Sequence, residues 1–134
     1  MEHFRDESQN RKFFANGNAA LKDLPVVILV NKGSASASEI LAGALKDHRD
    51  VKIVGAPTYG KGSVQELRSL SDGSELKITV AQWLTPSGKT IEKVGIKPDI
   101  EVKLTEEDIK AKRDPQLEKA KEVLRAEISK LAAN

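Results

Sequence analysis

No cysteine occurs among the 134 residues, which excludes a disulfide framework, a thiol nucleophile and a thiolate zinc site. Histidine is nearly as scarce: His3 and His48 are the whole complement, so imidazole-rich sites are excluded too. Neither sign of charge dominates. Twenty-two Lys and Arg stand against 20 Asp and Glu, the net charge is +2, and the basic residues are dispersed, so nothing points to nucleic acid. Long apolar runs are also missing: the longest, residues 24–30, falls far short of the roughly 20 residues that cross a bilayer, and no membrane span is expected. The first ten residues are polar and carry both charge signs, which fits neither a secretory signal nor a transit peptide. What the chain does have is 39% apolar residues in 14.6 kDa, enough for the core of one domain.

Composition shifts near residue 24. Residues 1–23 are polar apart from Phe4, Phe13 and Phe14 and read as a loosely ordered lead-in; residues 24–134 read as the folded part. Residues 24–30, rich in Val and Ile without alternation, predict a strand covered on both faces. After Asn31-Lys32-Gly33, the spacing of Ile40, Leu41, Ala44 and Leu45 predicts a helix over 34–47. A second apolar run at 51–54 completes a strand, helix, strand crossover and implies parallel pairing. Residues 64–70 and 75–84, joined through Asp72-Gly73, predict an antiparallel hairpin. Residues 90–96 are read as extended and 100–104 as a short strand. A last helix opens at Pro115 with Asp114 as N-cap, its apolar stripe running through Leu117, Ala120, Leu124, Ile128 and Leu131. The fold class expected is α/β, with a mixed sheet, the crossover, the hairpin and a C-terminal helix.

Chemistry can reside in Gly33-Ser34-Ala35-Ser36-Ala37-Ser38-Glu39, where a strand turns into a helix and three serines crowd one turn. A hydroxyl there stands beside the unpaired N–H groups of a helix start, as a nucleophile whose oxyanion needs preorganised donors requires. The same residues also satisfy a structural pattern, since Ser36 and Glu39 match the S-x-x-E capping box and Ser34 is an equally acceptable N-cap. His48 cannot serve as base: 12 positions along the helix place it roughly 18 Å from Ser36. Lys61 is the alternative, set between Gly60 and Gly62. Lysine acts as a base only when neutral, which burial favours. Gln65 can accept a hydrogen bond from the amine without adding charge, although in a straight strand the two residues lie about 13 Å apart, so a kink at Gly62 or converging side chains are expected.

A rival pattern overlaps this loop. Residues 55–61 fit G-x-x-x-x-G-K, most of a phosphate-binding P-loop, but Gly62 stands where the magnesium-binding hydroxyl belongs and Pro57 removes one N–H. Ser74 to Lys77 matches S-x-x-K but lies on a predicted strand, where its ends face opposite sides.

Taken together, Val30-Asn31-Lys32-Gly33-Ser34-Ala35-Ser36-Ala37-Ser38-Glu39, Tyr59-Gly60-Lys61-Gly62-Ser63-Val64-Gln65 and Leu84-Thr85-Pro86-Ser87-Gly88 resemble the carboxyl-terminal processing proteases, the S41 serine peptidases. Leu70-Ser71-Asp72-Gly73-Ser74, Gly95-Ile96-Lys97-Pro98-Asp99-Ile100 and Gln116-Leu117-Glu118-Lys119-Ala120 extend the likeness in order along residues 24–124. The resemblance implies a crotonase-like or ClpP-like fold. It also implies Ser36 as nucleophile, Lys61 and Gln65 completing a Ser-Lys-Gln site, the N–H of Ala37 as one oxyanion donor, and no metal or other cofactor. By the same resemblance the partners are protein or peptide substrates and the location is extracytoplasmic. Family members also carry an upstream PDZ domain and an upstream half-core that supplies the second oxyanion amide, so this chain resembles the second half of such a core. Two alternatives accompany this reading: a non-catalytic binding or assembly module that self-associates through open sheet edges, and nucleotide binding at residues 55–61.

Overall fold

The computed structural model describes residues 1–132. Its elements are β1 (Glu2–Phe4), β2 (Val27–Val30), α1 (Ala37–Arg49), β3 (Lys52–Gly55), β4 (Ser63–Ser69), β5 (Glu75–Trp83), β6 (Ile100–Glu101), α2 (Glu106–Lys110) and α3 (Pro115–Ala132), with a single 3₁₀ turn at Glu7–Gln9. The mixed α/β architecture is the expected one, with the two kinds of pairing in separate three-stranded sheets. In one sheet, β2 runs parallel to β3 from Val27↔Lys52 to Val30↔Gly55, and β6 adds in parallel at Val54↔Ile100. α1 is the crossover between β2 and β3, and α3 packs against both strands. The other sheet has the order β1-β5-β4, all antiparallel. Its hairpin turns at Asp72, whose carboxylate accepts the Ser74 N–H (3.0 Å) and hydroxyl (2.7 Å).

The core forms where the crossover meets the connection after β5. Val30, Ala42, Ile53, Ile91 and Ile96 cluster there, and Ile28, Ile40 and Trp83 pack on them from the edges. Ile53 and Ile91 are completely buried, each retaining roughly 2 kcal/mol or more of transfer free energy by that burial. Gly55 ends β3 at φ 133°, and a Cβ there would lie 1.9 Å from the Val30 carbonyl oxygen, so close strand pairing requires glycine at this point.

The structure departs from the sequence reading in several places. The strand expected over residues 24–30 is shorter, Val27–Val30, and is not covered on both faces, Leu29 being 43% exposed, and of residues 100–104 only Ile100 and Glu101 form strand. Residues 1–23 are not wholly a loose lead-in: Glu2, His3 and Phe4 pair with Trp83, Gln82 and Ala81, and the Phe13 ring lies 5.2 Å from that of Trp83. A three-residue strand is too short to carry a readable period, and tertiary pairing creates it. Residues 90–96 do not form a strand, because Lys93 (φ 60°) and Gly95 (φ 68°) adopt left-handed conformations that fold the segment back. α2 went unread although its Thr105 and Asp108 form a capping box, the Asp108 N–H meeting the Thr105 hydroxyl at 3.2 Å. α3 begins as expected, Asp114 accepting the Leu117 N–H at 2.9 Å. Its buried face is rotated from the expected stripe, however: Gln116 and Ala120 are buried, while Leu117, Ile128 and Leu131 are 37%, 48% and 60% exposed. Gln116 is held there by its Nε2, which donates to the Val102 carbonyl at 2.7 Å.

Candidate catalytic site

The turn leaving β2 is tied to itself. Ser34 N–H donates to the Asn31 carbonyl (2.9 Å), Gly33 N–H to the Asn31 side chain (2.8 Å), and Asn31 N–H to the Ser34 hydroxyl (3.1 Å). The Ser34 oxygen is therefore engaged in the turn. Ser36, two residues on, is exposed and sits at φ 56°, ψ −116°, a region that non-glycine residues rarely occupy and that costs of order 1–3 kcal/mol. It is the N-cap of α1, and Ala37 is the first helical residue, so the Ala37 N–H belongs to the first-turn set with no intrahelical acceptor. Ser36 and Glu39 have the layout of a capping box, yet the Glu39 N–H is directed to the Ser36 carbonyl oxygen at 2.9 Å, and the Ser36 hydroxyl makes no cap hydrogen bond.

Glu39 is completely buried. Its carboxylate accepts the N–H groups of Ser36 (2.9 Å), Lys61 (2.9 Å) and Gly60 (2.7 Å), together with the Thr58 hydroxyl. Burial alone would raise this acid. The bonds from Thr58, Lys61, Gly60 and Ser36 outweigh it and hold the carboxyl below its ordinary range. The Ser36 and Lys61 amides share one oxygen, Oε2, so their nitrogens are at most twice 2.9 Å, about 6 Å, apart. A buried carboxylate thus brings the backbones of Ser36 and Lys61 together across 25 positions of sequence. Sequence reasoning assigned Glu39 to the cap alone, because donors 21 and 22 residues away leave no periodic signal.

Lys61 and Gln65 are both exposed. Gln65 lies on β4, and its Nε2 reaches the Thr79 hydroxyl across the hairpin at 3.5 Å. The ladder irregularity falls between Val64 and Gln65 rather than at Gly62: Val64 opposes Ala81 but Gln65 opposes Thr79, which leaves Val80 as the extra residue of a bulge, and the Gln65 amide turns to Thr79 rather than to Lys61. The exposure of Lys61 departs from the burial that a neutral amine requires.

The loop of residues 55–62 has no free cradle for phosphate. Ala56 N–H donates to Val30, Thr58 to Ile96 and Tyr59 to Ser34 carbonyls; Gly60 and Lys61 donate to Glu39, and Gly62 to Glu92 at 2.9 Å. Pro57 has no N–H, and a strand rather than a helix follows. Nucleotide binding at this loop is thereby corrected: backbone carbonyls and the Glu39 and Glu92 carboxylates hold the amides a phosphate would need. His48 ends up exposed in the last turn of α1, away from Ser36, and His3 lies on β1. Among the described residues there is no cluster of His, Asp or Glu suited to a metal ion, and no helix is long and apolar enough to cross a membrane.

A strained serine thus stands at a strand-to-helix turn, with its backbone held close to that of a glycine-flanked lysine. The chain belongs to peptidase family S41, whose description matches residues 1–102. It is 56% identical over 82 residues to carboxyl-terminal-processing peptidase 2, chloroplastic, of Arabidopsis thaliana, which covers 61% of this chain and 16% of that protein. It is 52% identical over 93 residues to a carboxyl-terminal-processing protease of Synechocystis, 69% of this chain and 22% of the relative. Among solved structures, the photosystem II D1 C-terminal processing protease superposes with a TM-score of 0.57 at 52% identity, over 58% of this chain and 20% of its own. The chain thus spans about a fifth of the length of the relatives it matches. The family match begins at residue 1, in keeping with the pairing of β1.

Proposed function

We propose that this chain carries the Ser-Lys half of a serine endopeptidase that cleaves protein substrates near their C-termini. Ser36 Oγ attacks the scissile carbonyl while Lys61 Nζ takes the hydroxyl proton. The C–N bond breaks, the proton passes to the leaving amine, and the acyl-enzyme is released by water. The Ala37 N–H, at the positive end of α1, stabilises the oxyanion, and Gln65 orients the lysine. The observation that carries this reading is the single Glu39 oxygen shared by the Ser36 and Lys61 amides. Because Lys61 faces solvent here, the cover that keeps its amine neutral has to come from bound substrate or from further protein. A location outside the cytoplasm, in an envelope or lumen, goes with this function; the Arabidopsis relative is named as chloroplastic. The test is a fluorophosphonate probe, applied to these residues within a protein as long as the relatives and followed by peptide mapping: the adduct is expected on Ser36 and is lost in Ser36→Ala, whereas a folded protein with an unreactive Ser36 refutes catalysis by these residues.

One observation favours an assembly role as a second reading. β2 lies at the end of its sheet with an unpaired edge, and Leu29 and Leu41 beside it are 43% and 61% exposed. A second copy of the chain can add to that edge. Light scattering on the chain distinguishes the two readings: a dimer dispersed by Leu29→Lys supports the assembly role, and a monomer at all concentrations removes it.

A further inference from the structure

We propose that Glu92 is a positioning residue for Lys61. The proposal rests on the reading of Ser36 and Lys61 as the reactive pair. Gly60 and Gly62 give the backbone around Lys61 unusual freedom, and a lysine that must meet one hydroxyl cannot keep that freedom. Two carboxylates remove it, one at each peptide unit flanking the Lys61 Cα. The peptide unit before the Lys61 Cα presents its N–H to Glu39 on α1 (2.9 Å), and the unit after it presents the Gly62 N–H to Glu92 Oε2 (2.9 Å). Since each peptide unit is planar, holding both fixes φ and ψ of Lys61 and therefore the direction in which its side chain leaves the loop.

Glu92 is placed for this by a strap, residues 91–96, whose ends are buried through Ile91 and Ile96. The strap also takes hold of the loop through its own backbone. Lys93 N–H donates to the Gly60 carbonyl (2.8 Å), and Ile96 N–H donates to the Thr58 hydroxyl (2.7 Å), which itself donates to Glu39. Contact is close enough that a Cβ on Gly62 would lie 2.5 Å from the Glu92 nitrogen. These other bonds keep loop and strap together without the Glu92 carboxylate. Its removal therefore frees the peptide after Lys61 while leaving the fold in place.

The experiment combines probe kinetics with amide exchange on the full chain. Glu92→Ala is expected to lower the maximal rate of Ser36 phosphonylation about 10- to 100-fold, the range for losing a hydrogen bond to a charged group, with half-saturation by the probe unchanged. Exchange at the Gly62 amide should accelerate by a similar factor, with the Ile53 amide unaffected. Glu92→Gln, which keeps an acceptor oxygen, should restore both within about threefold. A parental labelling rate in Glu92→Ala, unchanged Gly62 exchange, or faster exchange at Ile53 that glutamine fails to rescue each overturns the proposal. If the parent chain is not labelled at Ser36, the reading of the reactive pair fails, and Glu92 is then decided by Gly62 exchange in the two variants alone.

Discussion

Replacing Glu39 by glutamine changes one oxygen to NH₂ and removes one charge, with almost no change in volume. In the parent, Oε1 accepts the Thr58 hydroxyl and the Gly60 N–H, and Oε2 accepts the Ser36 and Lys61 N–H groups. Whichever way the amide settles, two donors face NH₂ in a fully buried site. Each donor left unsatisfied costs about 1–3 kcal/mol, and the two retained bonds lose their ionic character, so a destabilisation of roughly 3–5 kcal/mol is expected. Against a total of about 5–15 kcal/mol this is a large loss, visible as a fall of roughly 2 M in the urea midpoint at an unchanged slope. Acid provides an internal control. The Glu39 carboxyl is depressed in the folded chain, so its contribution is present above the ordinary carboxylate range and is lost as pH falls through the lower folded value. Parent and variant should therefore differ widely at pH 7, begin to approach each other below the ordinary carboxylate range, and converge below the lower folded value. A glutamine variant within about 0.5 kcal/mol of the parent at pH 7, or a gap that acid leaves unchanged, would refute the four-donor clamp.

Two further substitutions test the frame around the site. Gly55→Ala forces a Cβ against the Val30 carbonyl at a φ that only glycine accepts readily, and should unfold the crossover, read as loss of the cooperative thermal transition; a normal melting curve would contradict the β2–β3 register. Asp99→Asn removes the ion pair with Lys46 and weakens the bond from the Ile53 N–H (2.9 Å), at a cost of about 1 kcal/mol in chemical denaturation. Burial pushes the Asp99 carboxyl up, but Lys46 and the Ile53 amide hold it below its usual range, so this difference too should shrink as pH falls below the ordinary carboxylate range and vanish below the lower folded value rather than persist.

Where local pattern and tertiary context agree, the sequence was readable. The apolar run that contains β2, the periodic α1, the Asp72-Gly73 turn and the Asp114-Pro115 start of α3 were all legible because each is decided within a few residues. Ser36, Ala37, Lys61 and Gln65 stood out through the turn, the flanking glycines and a resemblance spread over several motifs. The pairing of β1 was not legible, since only β5 makes those three residues a strand. Nor was the burial of Gln116 in place of Leu117, which depends on the Val102 carbonyl that Gln116 reaches. The largest omission was the second role of Glu39. A capping box accounts for that glutamate completely at the level of sequence, and only the folded chain reveals that the same carboxylate also receives the lysine loop.

The lysine's role is tested most directly by the rate at which a fluorophosphonate modifies Ser36 in the parent, in Lys61→Ala and in Lys61→Arg. A guanidinium cannot give up its proton at working pH, so both variants should fall by about the same factor, on the order of 100-fold or more. An arginine variant that reacts at nearly the parental rate would show that the amine of Lys61 does not accept the serine proton.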